Sequence, residues 1–139
     1  MIDSNCIFCK IATGAIPSAT IYEDGDFRVI MDINPASKGH AIILPKTHAA
    51  NIFEVSDEVA GKIMVVAKKV ATAMKEELNC EGINILQNNG EIAGQTVFHL
   101  HVHLLPRYKN DKIAIKWSHK DKYEDDFAAL AKAIGDRVK

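Results

Sequence analysis

No stretch of the 139-residue chain approaches the roughly 18 consecutive apolar residues of a membrane span, and the opening MIDSNCIFCK lacks a basic segment followed by an apolar one. No membrane partner is expected, and the cytoplasm is the expected compartment. Excess charge of either sign is missing too. With 17 Lys and Arg against 18 Asp and Glu, the formal net charge is -1, which provides no basic field for holding a long nucleic acid backbone. Cysteine is scarce and odd in number, three residues, which argues against a disulfide framework. Internal repeats, low-complexity segments and linkers are absent, so a single domain over residues 1–139 is expected, and a 47% hydrophobic composition is enough for its core.

The chain is well supplied with histidine at one place. In FHLHVHLLP, Phe98 to Pro106, three histidines occupy every second position. Alternation of this kind fits a half-buried strand, which puts His99, His101 and His103 on one face, ~6.7 Å apart, and aims Phe98, Leu100, Val102 and Leu104 into a core. Pro106 cannot donate to a ladder and is expected to end the strand. Three neighbouring imidazoles away from water each need a partner, so a ligand, a metal or a reaction is the natural explanation.

Around this strand, NCIFCKIATGAIPS reads as a short N-terminal helix closed by Gly14 and Pro17, presenting Cys6 and Cys9 near one face. TIYED and FRVIMDI read as strands joined at Asp24-Gly25, whose glycine suits positive φ, and HAIILPK as a third. Ser56 caps a long helix in which Val59, Ile63, Val66, Val70, Met74 and Leu78 recur at helical spacing. Met64 and Val65 widen its apolar surface, which means either deeper burial or a subunit contact. GINILQNNG supplies a fourth strand, Phe98–Leu105 a fifth, and KYEDDFAALAKAIGDRVK a C-terminal helix. Hairpin-linked strands without regular βαβ alternation predict an α+β fold with an antiparallel sheet. The glycine-rich NNGEIAGQT before the histidines offers amides and polar side chains suited to phosphate oxygens, or is simply a turn.

QTVFHLHVHLLPR resembles the signature of the histidine triad superfamily, and IFCKIATGAIPS, YEDGDFRVIMDINPASKGHAIILPKTH and NNGEIAGQTVFHLHVHLLPR follow in the family's order and spacing. The resemblance is to the branch of small bacterial nucleotide-binding and nucleotide-hydrolysing proteins. It implies a five-stranded antiparallel sheet with helices, a homodimer, and hydrolysis or transfer at the α-phosphate of purine nucleotide conjugates. His101 would be the nucleophile that forms a nucleotidyl-histidine intermediate, its other ring nitrogen fixed by a backbone carbonyl. His103 and His40 would contact the phosphate, Gln95 and Thr96 would lie near the bridging atom and phosphate oxygens, and Asn88 would sit on the phosphate side. Asp32, with Ile33 beside it, would accept hydrogen bonds from the ribose; alternatively Asp32 initiates a turn before Asn34-Pro35. Ile33, Phe8 and Ile11 are candidates for the apolar walls of a base pocket. Such a cradle needs no Mg²⁺ in principle.

The resemblance favours a nucleoside phosphoramidate hydrolase, with dinucleoside polyphosphate hydrolysis and a nucleotide-binding module of little turnover as alternatives. The uridylyltransferase branch replaces the third histidine, which this chain keeps, and DNA-end processing lacks a basic or zinc-finger extension. Some bacterial relatives with Cys-x-x-Cys bind zinc, and Cys6, Cys9, His48 and His99 are the expected ligands of a structural Zn²⁺ here, against a pair of reduced cysteines or a redox pair. A catalytic metal on His40, His101 and His103 is the competing use of the active-site histidines. Cys80 has no partner in sequence and is expected to pack. Trp117 with Lys116 would shape the leaving-group side of a partner subunit's site, or pack locally.

Overall fold

The computed structural model describes residues 1–118 and 126–139. Helix α1 (Ile7–Ala12) precedes strands β1 (Thr20–Glu23), β2 (Phe27–Met31) and β3 (Ala41–Pro45); helix α2 (Asp57–Leu78) leads to β4 (Gly82–Leu86), a 3-10 turn (Glu91–Ala93), β5 (Val102–Arg107) and helix α3 (Phe127–Gly135). The strands form one antiparallel sheet in the order β1-β2-β3-β5-β4. The expected α+β fold is therefore the observed one.

The sheet is covered differently on its two faces because its strands alternate. Phe27, Val29, Ala41, Ile43, Leu100, Val102 and Leu104 pack with Ile63, Val66, Ala67, Val70 and Met74 of α2. The opposite face buries Ile30, Ile42 and Leu44 against Ala12, Phe8 and Ile11 of the α1 region. Ser56 Oγ accepts from the Val59 amide at 3.3 Å, Asp57 and Glu58 occupy the favourable first turn of α2, and Asn79 ends that helix in a left-handed cap. Met64 and Val65 stay exposed on α2, which answers the sequence's question against deeper burial within one chain. Cys80 is buried, as expected of a packing residue.

Three local expectations change. The first hairpin turns on the Asp24 carboxylate, whose Oδ1 accepts from the amides of Asp26 (2.9 Å) and Phe27 (2.8 Å). Gly25 is not among the positive-φ glycines, because a side-chain acceptor closes the turn in its place. The fifth strand starts at Val102 rather than Phe98, and Phe98 is 52% exposed. The chain enters β5 through an irregular segment, anchored where the Leu100 amide donates to Ala49 O at 2.7 Å, so the core alternation begins only at Leu100. Pro106 lies inside β5 and pairs with Ile83 of β4; the pairing with β3 ends at Leu104, so no ladder donor is needed there. The C-terminal helix begins at Phe127, capped by Asp126, and its expected beginning at residues 122–125 lies outside the described residues.

Candidate active site and metal centre

Alternation along the segment entering β5 places His99, His101 and His103 on the face that α1 covers. The nearby cleft, about 470 Å³, is lined by His101, His103, Thr96, Asp32 and Ile33, with Phe8, Ile11, Ile16 and Pro17 supplying apolar wall. Phe8, Ile11 and Ile33, the sequence's candidates for apolar walls, all line this cleft. Pro17, read from the sequence only as a helix stop, and Ile16, not singled out there, join them because the chain leaving α1 doubles back along the sheet.

Hydrogen bonds assign the proton on each imidazole. His101 Nδ1 lies 2.7 Å from His99 O, and a carbonyl can only accept, so Nδ1 carries the hydrogen and Nε2 the lone pair. The Ala36 amide can only donate, and it reaches His40 Nδ1 at 3.0 Å. His40 is therefore neutral with its proton on Nε2, which donates to His103 Nδ1 at 2.8 Å and leaves His103 with an Nε2–H. Burial pushes all three rings below the usual histidine range, His103 to about 4 with the neighbouring His101 and His40 adding to the effect. The site thus offers one bare imidazole nitrogen and one N–H donor at neutral pH, a combination suited to attack on phosphorus.

Asp32 both starts a turn and lines the cleft. Its Oδ1 accepts from the Asn34 amide at 2.7 Å, the turn expected before Pro35, while Oδ2 lies 3.5 Å from His40 Nε2 and the residue lines the cleft. Gln95 departs from its expected position at the phosphate. It is 1% exposed, and its amide is fully engaged inside the loop: Nε2 donates to Ala50 O (2.6 Å) and Val97 O (3.1 Å), and Oε1 accepts from the Gly90 amide (2.9 Å). The amides of Ala93, Gly94 and Gln95 bond within the same loop, which leaves those three out of any phosphate cradle. Asn88 stands beside it, with Nδ2 3.5 Å from Gly94 O, outside the cleft lining, whereas Thr96 faces the cleft. Trp117 is largely exposed at the end of the first described segment.

Two groups of converging ligands lie on this face. Cys6, Cys9, His48 and His99 bring their ligating atoms within 4.8 Å of one another. Cys6 Sγ is 3.4 Å and Cys9 Sγ 3.5 Å from His99 Nδ1, Cys9 Sγ is 3.4 Å from His48 Nδ1, and the two histidine nitrogens are 3.2 Å apart. His99 Nε2 donates to Pro45 O at 2.9 Å, which turns its Nδ1 lone pair toward the sulfurs. Burial holds His99 near 4, so that lone pair is free at neutral pH, and pushes the Cys9 thiol up. The Asp3 and Cys9 amides donate to Cys9 and Cys6 sulfur at 3.4 Å each. Donor set and spacing fit a tetrahedral Zn²⁺. Asp32, His40 and His103 form the second group, but it is ill-suited to a metal: the Ala36 amide keeps the proton on His40 Nε2, the atom that would have to ligate. The same argument counts against a catalytic metal on His40, His101 and His103.

Comparison with known proteins gives the family. The HIT domain profile matches residues 13–110. The chain belongs to the HIT domain family. A crystal structure of a HIT family protein from Bacillus anthracis superposes with a TM-score of 0.89 at 45% identity, covering 98% of this chain and 99% of that one. The chain is also similar to the adenosine 5'-monophosphoramidase hnt1 of Schizosaccharomyces pombe, 38% identical across 97% of this chain and 99% of that protein. A Zn-bound histidine triad family protein from Mycobacterium smegmatis superposes with a TM-score of 0.75 at 35% identity, over 95% of this chain and 97% of that one.

Proposed function

We propose that this HIT domain protein is a nucleotidyl hydrolase cleaving nucleoside phosphoramidates of purine nucleotides at the α-phosphate, with His101 as nucleophile. HIT membership and the likeness to an adenosine 5'-monophosphoramidase support nucleotide hydrolysis. The observation that carries the finer reading is the His101 Nδ1–H to His99 O bond, which leaves a bare Nε2 at the cleft.

The lone pair of His101 Nε2 forms a bond to phosphorus as the P–N bond to the amine breaks, the electron pair leaving with the amine, which takes up a proton. His103 Nε2–H donates to the phosphoryl oxygens as their charge grows, and Thr96 Oγ1 lies on the leaving-group side. Water then attacks phosphorus, and the N–P bond breaks with its electrons returning to His101, releasing the nucleoside monophosphate. Asp32 accepts from the ribose, Ile33, Phe8 and Ile11 enclose the base, and Asn88 serves the phosphate side; Gln95 holds the loop beside them. Cys6, Cys9, His48 and His99 would hold a structural Zn²⁺, which ties the α1 region to the entry of β5. A Zn-bound relative supports that assignment. The protein works as a homodimer in the cytoplasm, one domain per chain, without a nucleic acid or membrane partner.

The test is release of AMP from adenosine 5′-phosphoramidate by wild type and His101→Ala, with diadenosine polyphosphate in parallel. Wild type is expected to release AMP and prefer the phosphoramidate, with the variant reduced by at least roughly 10³-fold. Preference for the dinucleotide would move the protein to the alternative hydrolase branch, and AMP binding without cleavage of either substrate would make it a nucleotide-binding module.

A further inference from the structure

Between Asp32 and His40 the chain leaves the sheet as an exposed loop, yet hydrogen bonds tie down almost every turn of it. The Asp32 amide donates to His40 O at 2.9 Å, closing the loop's base. Asp32 Oδ1 takes the Asn34 amide, and the His40 amide donates to Ser37 O at 3.1 Å. Gly39, at φ +90, seats the loop on the end of α2, where a Cβ would clash with Leu78 Cδ1. Two further bonds run from loop to sheet: Ser37 Oγ donates to Pro106 O at 2.7 Å, and Tyr108 Oη donates to Lys38 O at 2.6 Å. Pro106 belongs to β5 and Tyr108 follows it directly. Both anchors therefore fasten the loop to the strand that carries His103.

Ala36 lies within this fastened segment, and its amide, together with Asp32 Oδ2 3.5 Å from His40 Nε2, sets the proton order of the His40–His103 pair. Were that amide withdrawn, His40 could hold its proton on Nδ1 instead, and its Nε2 would accept from His103 Nδ1. His103 would then turn a bare Nε2 toward the phosphoryl oxygens, replacing a donor with a second lone pair. The two orders differ only in which nitrogens carry hydrogen, so the Ala36 amide's position at His40 Nδ1 distinguishes them.

We propose that Ser37 and Tyr108 are positioning residues of the hydrolytic site: their hydroxyls clamp the Asp32–His40 loop to β5 so that the Ala36 amide fixes the His40–His103 proton order. Neither hydroxyl touches substrate; each acts through the Ala36 amide. The catalytic part of the proposal rests on the phosphoryl-transfer reading above, whereas the proton order is a property of the protein alone.

The test compares wild type with Ser37→Ala, Tyr108→Phe and the double variant by ¹⁵N NMR of the imidazole nitrogens at pH 7.5, alongside steady-state AMP release. Wild type is expected to show unprotonated Nδ1 and protonated Nε2 at both His40 and His103. The double variant is expected to show mixed protonation at both rings and a kcat lower by roughly tenfold, with KM within about twofold. Ser37→Thr, which keeps the hydroxyl, is expected to retain the wild-type pattern. An unchanged ring-nitrogen pattern in a folded double variant overturns the proposal, even if activity falls, because the residues would then be merely structural. If the double variant does not fold, the single variants decide by the same readout. If wild type cleaves nothing, the hydrolase reading fails by itself and the nitrogen pattern still decides whether the clamp orders the pair.

Discussion

A neutral imidazole has a single nitrogen lone pair, and here backbone groups decide where each lies. His99 O directs that of His101, Pro45 O that of His99, and the Ala36 amide that of His40 and, through it, His103. Because burial depresses His40 and His103, the unfolded chain binds protons below its ordinary histidine range of about 6.5 while the folded one does not. Stability of the folded protein should therefore fall as pH drops below about 6.5, with His103 contributing down to about 4 and His40 acting in the same direction, and be insensitive to these groups above 6.5. Urea melts across pH 4.5–7.5 check the sign; a flat profile would mean these rings are not held neutral. The Gln95 side chain turns into its own loop. Its neighbours in the motif face the cleft, but burial and three internal hydrogen bonds make it the strut of the loop. Gln95→Ala strands those partners and is expected to cost about 2 kcal/mol in denaturant unfolding.

At the scale of elements, α1 is too short to be stable alone, and its attachment rests on a modest apolar contact and on the Cys6 and Cys9 cluster. Phe8, between the two cysteines, meets His101 edge-on with ring centroids 5.0 Å apart. Cys9→Ala should therefore lose bound zinc, measured by elemental analysis, lower the melting temperature by several degrees and weaken AMP binding through the displaced Phe8 wall. Wild-type protein purified without zinc but equally stable would count against the structural metal. The loop before β3 depends on one glycine: Gly39→Ala meets both a left-handed φ and Leu78, and roughly 2–3 kcal/mol of destabilisation is expected in urea unfolding. The alternation of residues 100–104 was readable in advance, whereas the start of β5 was not, because the Leu100–Ala49 bond belongs to chain distant in sequence.

Across the whole molecule, the sheet leaves β4 as an edge, and Ile85 on that edge is exposed near exposed Met64 of α2, with both lining one groove. An unpaired edge beside an apolar helix face suits the expected homodimer, since a second copy can extend the sheet and cover the groove. Ile85→Lys is expected to shift the protein to monomer in sedimentation or size-exclusion experiments, and an unchanged dimer would place the interface elsewhere. The described residues contain no helix long and apolar enough to cross a membrane.

The sequence alone was sufficient for what depends on period and local chemistry: the α2 stripe and its Ser56 cap, the strands apart from the start of β5, the shared face of the histidines leading into β5, and the family. The convergence of Cys6, Cys9, His48 and His99 was legible from the Cys-x-x-Cys spacing, the placing of His48 after the third strand and the resemblance together, since ligands 93 residues apart have no local signal. Tertiary structure decided which nitrogen of each histidine carries its proton, that Gln95 turns inward, and that Asp24 rather than Gly25 shapes the first hairpin. The reason is common to these cases. A side chain's face follows from the pitch of its own strand or helix, but its hydrogen-bond partner is a backbone group delivered by another part of the fold.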